Sequence, residues 1–230
     1  MERRDFVAFC VAGAAAAATP ALGAQAEPRR YARARLVDAN GAPLLAKAVP
    51  AKRNLIFHYP YAATPCFLLN LGRPTAAAEL LTAGHARYEW QGGVGAERAI
   101  VAYSAICAHK LTYPTHEISF ISYRPEKTVG NRFGAVIHCC SEHSQYDPAQ
   151  GARVVAGPAP QPLAAILLEH EPATDELFAV GTLGGELFNE FFDKYAFRLD
   201  MEFGPTARAA VDGTCVVQPL ENFCRQQVKC

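Results

Sequence analysis

Four side chains in two short stretches carry the strongest chemical signal in the chain. ICAHKLTYPTH sets Cys107 and His109 in a C-x-H pattern, and IHCCSEHSQYDP sets Cys140 and His143 in a C-x-x-H pattern. The segment between them, Lys110 to Cys139, can fold back as a hairpin and bring the two stretches together. Two thiolates and two neutral imidazoles in paired loops make a four-ligand set. That set suits a zinc ion or an iron–sulfur centre. Cys139, beside Cys140, is an extra thiol. It reads as a buried free thiol, a partner of a distant cysteine, or an alternative ligand.

The surrounding elements must hold these loops. Apolar runs cut by glycine and proline follow one another closely: RARLVDANGAPLL, NLIFHYPY, CFLLNLG, AIVAYSAIC, GAVIHCC, ARVVAG, LAAILLEHE, ELFAVGTLGG and ELFNEFF. Short apolar runs and period-two patterns outnumber helical ones, so an all-β domain is expected. A short helix is expected around TAAAELLTAG, with Gly84 as its stop. The 230 residues, half of them hydrophobic, suffice for a substantial core. Formal net charge is zero and there is no basic stripe, so nucleic-acid binding has no electrostatic support. No Ser–His–Asp signature, phosphate loop or EF-hand is present to suggest that the chain catalyses a reaction alone.

The first residues read as an export signal. Arg3 and Arg4 precede an Ala-rich apolar run, and Ala24–Ala26 offers small residues at a cleavage site. The paired arginines with Phe6 resemble a twin-arginine signal, a route that carries folded proteins. Residues 1–26 are therefore expected to be a signal peptide and the protein periplasmic. Membrane attachment would arise only if the segment were retained as an anchor.

The residues after His143 narrow the choice of metal. Tyr146 and Asp147, then Gly151, then Gly157-Pro158-Ala159-Pro160, together with the Cys and His pairs, resemble the Rieske family. The resemblance implies a [2Fe–2S] cluster with two thiolates on one iron and two imidazoles on the other. Cys107, His109, Cys140 and His143 would be the ligands. Cys140 is preferred over Cys139 because C-x-x-H matches the family spacing. Ser144 and Tyr146 would hydrogen-bond the cluster sulfurs, and Gly157, Pro158 and Pro160 would cover one side. It also implies a Rieske-type antiparallel β sandwich or barrel base with an inserted small cluster-binding subdomain. The domain would span 27–192, with its cluster lobe at about 104–160 and a C-terminal extension at 193–230. FHYPYAATPCFLLNLG, GGVG, IVAYSAICAH and LFAVGTLGGELF are similar, in that order, to segments of the arsenite oxidase small subunit. That resemblance implies an electron-transfer subunit with a larger molybdenum-containing partner and a cytochrome c-like carrier. A Rieske subunit of a quinol-oxidising cytochrome bc-type complex is the alternative within the family. A structural zinc-binding module is the alternative outside it.

The sequence also departs from the family pattern. High-potential members tie the loops with a disulfide at positions that are Thr112 and Glu142 here, so no inter-loop disulfide is expected. The stretch from His143 to Asp147 is one residue short. That implies weaker bonds from Ser144 and Tyr146 and a potential below the top of the Rieske range, ~−150 to +300 mV. Lys110 reads as pointing to solvent, His138 as a polar strand residue, and His58 and Cys66 as core residues. Among Cys215, Cys224 and Cys230 one disulfide is expected, Cys215 bonding one of the other two. Glu190 and Asp193 read as a solvated face.

Overall fold

The computed structural model describes residues 24–129 and 131–230. Most of the expected signal peptide lies outside them. Its last residues, Ala24 to Ala26, lie along a neighbouring strand, where Ala26 N–H donates to the Arg87 carbonyl at 2.8 Å.

The chain begins with β1 (Arg29–Val37), β2 (Leu55–His58), β3 (Pro65–Asn70), β4 (Ala78–Leu81), β5 (Arg87–Trp90) and β6 (Ile100–Ser104). A run of short strands follows: β7 (Ile118–Ser119), β8 (Ile121–Arg124), β9 (Val136–Cys139), β10 (Ser144–Asp147) and β11 (Arg153–Ala156). Then come β12 (Ala165–Glu171), β13 (Glu176–Leu183), α1 (Phe188–Lys194) and α2 (Ala196–Phe203). The chain closes with β14 (Gly213–Val216), β15 (Gln218–Pro219), α3 (Leu220–Phe223) and β16 (Gln226–Gln227).

The base is an eight-stranded sheet in the order β14-β1-β13-β12-β6-β3-β2-β15. A four-stranded sheet, β11-β10-β9-β8, lies between β6 and β12 in sequence. Yet β6 and β12 are neighbours in the base, where Tyr103 opposes Ala165. A small β lobe is thus inserted between adjacent strands of a larger β domain, the architecture expected. The return path is the β8–β9 hairpin, in which Ile121 opposes Cys139.

Two expectations about elements fail. TAAAELLTAG forms β4 and the turn into β5, because Leu80 is buried while Glu79 and Leu81 face outward, a period of two rather than of a helix. ELFNEFF ends in α1, whose Phe188, Phe191 and Phe192 fall on one buried side at helical spacing.

One core fills the seam between base and lobe. Phe67, Trp90, Tyr103 and Leu183 of the base pack there with Ile121, Ile137 and Tyr146 of the lobe. A second core lies on the other side of the large sheet, around Leu36, Phe57 and Leu68. Polar bonds fix the seam as well. Tyr103 donates its hydroxyl to the Pro148 carbonyl at 2.7 Å. Asn54 Nδ2 donates to the Tyr123 carbonyl at 2.9 Å, and Asn54 Oδ1 accepts from Tyr123 N–H at 2.6 Å. Residues 193–230 join both parts. β14 runs parallel to β1, β15 pairs with β2, and β16 pairs with β7. Among the described residues no helix is long and apolar enough to cross a membrane.

His58 lies against the rings of Phe203 and Phe223. Burial, then the charge of His116, lowers its pKa to about 4. As pH falls through about 6.5 the unfolded chain takes up a proton that the folded chain refuses until about 4. Stability is therefore expected to fall across that window and level off below it. His58→Gln should flatten this part of a pH series of urea melts. Asn54→Ala, which removes both seam bonds, is expected to cost about 2 kcal/mol in the same assay.

Candidate metal centre

The two loops of the lobe repeat one local design. The backbone N–H groups of His109 and Lys110 stabilise the Cys107 sulfur. Those of Ser141 and Glu142 do the same for Cys139. In each loop the donors stand two and three residues after the cysteine. The fourth residue after each cysteine is left-handed: Leu111 at φ 60° and His143 at φ 58°. The equivalent thiols are therefore Cys107 and Cys139. The two are in contact, both buried in the seam core. The Cys139 thiol donates to the Cys107 sulfur, the main reason the Cys107 pKa falls from 9.0 to about 6, against the opposing effect of burial. The same contact, with burial, pushes the Cys139 thiol up.

Cys140 goes elsewhere. Side chains alternate along a strand, so Ile137 and Cys139 turn into the core while His138 turns away from it. On that outer side the C-terminal segment passes over β9, and Cys140 forms a disulfide with Cys230. Sequence spacing counts Cys140 among the ligands; in this structure its sulfur bonds Cys230, and the thiol beside Cys107 is that of Cys139. The disulfide expected from Cys215 is corrected, because Cys215 and Cys224 are both buried free thiols. Burial raises the pKa of each. Cys66 is a buried free thiol, as expected of a core residue.

Tyr146 reaches the thiol pair, His109 and Ser144 follow in the same two loops, and the His143 ring lies beside that of His138. His109 Nδ1 is shielded from solvent with no hydrogen-bond partner among the described residues. Tyr146 reaches the Cys107 sulfur at 3.2 Å, and its oxygen accepts from Ala108 N–H at 3.1 Å. That second bond leaves the hydroxyl proton free to point at sulfur. Ser144 Oγ is buried without a hydrogen-bond partner among the described residues. The short stretch after His143 therefore leaves Tyr146 in reach of sulfur. The charges of His109 and His143 both act on Glu142, lowering its carboxyl, although Lys110 does so most. Lys110 Nζ meets Glu142 at 2.8 Å. This ion pair joins equivalent positions of the two loops, and no disulfide links them. Lys110 therefore faces the opposite loop across its surface. Loop one is backed by α1: Lys194 Nζ donates to the Lys110 carbonyl at 2.6 Å, and Tyr113 packs edge-on to Phe191.

The proline loop lies against loop two. Gly157 has φ +85°, and a Cβ there would lie 2.5 Å from both the His143 carbonyl oxygen and the Ser144 Cα. Pro158 and Pro160 follow, both exposed, with Ala159 packed toward the core between them. Only glycine allows this approach.

His138 is fully buried, and desolvation lowers its pKa to about 4, with help from the charges of His143 and Arg124. Its ring lies 5.8 Å from that of His143 and 3.5 Å, at Nε2, from the Cys230 sulfur. The ligand atoms of His138, Cys140 and Cys230 all lie within 4.8 Å of one another. His138 is a polar strand residue, as expected; its company with Cys230 was not legible because residue 230 lies far off in sequence.

Fold and site together define a β protein with an inserted lobe that holds two thiols together at the heads of its loops, each loop also carrying a histidine. No family model matches the sequence. Among solved structures, the chain is similar to the soluble domain of the Rieske protein II from Sulfolobus acidocaldarius. The identity is 24%, the match covers 68% of this chain and 82% of that one, and the TM-score is 0.47.

Gly157→Val is expected to push the proline loop off His143 and Ser144. Amide hydrogen exchange should show loop two losing protection while β12 and β13 keep theirs.

Proposed function

We propose that the chain is an exported one-electron carrier of the Rieske type, holding a [2Fe–2S] cluster. The reading extends to its role as the small subunit of a periplasmic oxidoreductase resembling arsenite oxidase. The supporting observation is the contact between Cys107 and Cys139 at the heads of two equivalent loops. The donor set fits such a group. Two buried thiols lie together, and the unpartnered buried Nδ1 of His109 is a costly arrangement unless it binds something. Cys107, Cys139, His109 and His143 would hold the cluster, which when bound supplies storage for a single electron.

The chain's own residues set the terms of that storage. The backbone N–H groups of loops one and two and the Tyr146 hydroxyl stabilise negative charge on sulfur. The seam core keeps water from the thiols. Lys110 and Glu142 hold the two loops together at the surface, where a redox partner would approach. The Cys140–Cys230 disulfide suits an oxidising compartment. Twin-arginine export, which carries folded proteins, suits a cofactor inserted before transport. A larger molybdenum-containing subunit and a cytochrome c-like carrier would then be donor and acceptor.

Visible and EPR spectroscopy of the purified protein, oxidised and after dithionite, test this directly. A red-brown protein with the rhombic signal of a histidine-ligated [2Fe–2S] centre is expected; a colourless protein holding zinc and no iron would instead mark a structural clasp. Cys139→Ser is expected to abolish the signal and Cys140→Ser to retain it. The reverse pattern would return the ligand role to Cys140. Tyr146→Phe is expected to lower the reduction potential by about 60 mV, the one-electron equivalent of about 1.4 kcal/mol.

A further inference from the structure

The outer face of β9 carries a second group of metal-ligating atoms that the electron-carrier reading does not use. His138 on that face and Cys140 just past the strand's end bring their ligand atoms together, while Cys139 between them points to the core. The C-terminal segment is held over them by backbone bonds. β16 runs parallel to β7, and Val228 N–H donates to the Ser119 carbonyl at 2.9 Å. Arg124 donates to the Val228 carbonyl, and Cys140 N–H to the Phe120 carbonyl at 2.6 Å. These bonds hold the segment up to Val228 beside the lobe independently of the disulfide, two residues short of Cys230.

We propose that reduction of the Cys140–Cys230 disulfide converts this face into a binding site for a soft divalent cation, with zinc the best fit. Two thiolates and one imidazole would be the ligands, and solvent would fill the fourth position. The chemistry favours zinc because thiolate and imidazole together select it over magnesium or calcium. Zinc bonds of about 2.3 Å to sulfur and about 2.0 Å to nitrogen set sulfur and nitrogen ligands roughly 3.5 Å apart, the spacing of Cys230 Sγ and His138 Nε2 at 3.5 Å, while the two sulfurs, freed by reduction, would part to admit the ion. The bookkeeping closes with a dithiol as reductant. It gives two electrons and two protons to the disulfide, becoming a disulfide itself and leaving two thiols on the protein. Zinc binding then releases those two protons to solvent. The covalent bond and the metal are alternative fasteners for the same C-terminal segment.

The test uses the full chain and Co²⁺ as a coloured zinc probe. Metal-stripped protein is titrated with Co²⁺ before and after reduction by a phosphine, and sulfur-to-cobalt charge-transfer absorption is read. The Cys107→Ser/Cys139→Ser double variant isolates the outer face from the thiol pair in the core. In that background the reduced protein is expected to bind a single equivalent with thiolate absorption, and the oxidised protein none. Adding Cys230→Ser, a change at the exposed end of the segment, should lower the affinity at least tenfold. His138→Asn should do the same while leaving the disulfide able to form. Equal binding by oxidised and reduced protein, or undiminished binding after Cys230→Ser, would overturn the proposal. Neither result bears on the iron signal, which is read separately in the protein with Cys107 and Cys139 intact.

Discussion

The alternation of side chains along β9 is the constraint on which the rest of the lobe depends. A strand must send neighbours to opposite faces. Cys139, the last residue of β9, and Cys140, just past its end, leave in different directions. Cys139 goes inward to Cys107 and Cys140 outward to Cys230. The inner face becomes a dry pocket of thiol, tyrosine and apolar side chains. The outer face becomes the mooring of the C-terminal segment. A one-residue shift in the pairing of β9 with β8 and β10 would exchange the two roles.

That constraint explains what was and was not legible in the sequence. The all-β base with an inserted lobe followed from short apolar runs and from the resemblance of the loop residues. The Cys and His loops, Tyr146 and the glycine before the prolines were visible as types and spacings. The different surroundings of Cys139 and Cys140 were not. Spacing to the histidine pointed to Cys140, whereas the fold counts from the strand end and from the backbone donors behind it. Ser141 and Glu142 supply those donors to Cys139. No one-dimensional spacing records which face a residue takes at the point where a strand ends.

The C-terminal cysteines were illegible for a related reason. Composition suggested that nearby cysteines would pair with one another. Instead, tertiary routing decides. Cys215 sits inside the base on β14, Cys224 is buried in the seam core just after α3, and Cys230 alone reaches the lobe. The helix α1 was missed because its phenylalanines suit a strand as well as a helix by composition. Only their three- and four-residue spacing, packed behind loop one with Tyr113, separates the two.

The insertion of the lobe between neighbouring strands has a consequence for assembly. β6 and β12 must pair across some sixty residues of intervening chain, an entropic cost that grows with loop length. A lobe that collapses by itself, through the local β8–β9 and β9–β10 pairings, shortens that gap before the base has to close it. The small domain that carries the chemistry would then also be the clasp around which the larger one forms. A defect in its loops would reach the base sheet as slow folding as well as a lost site.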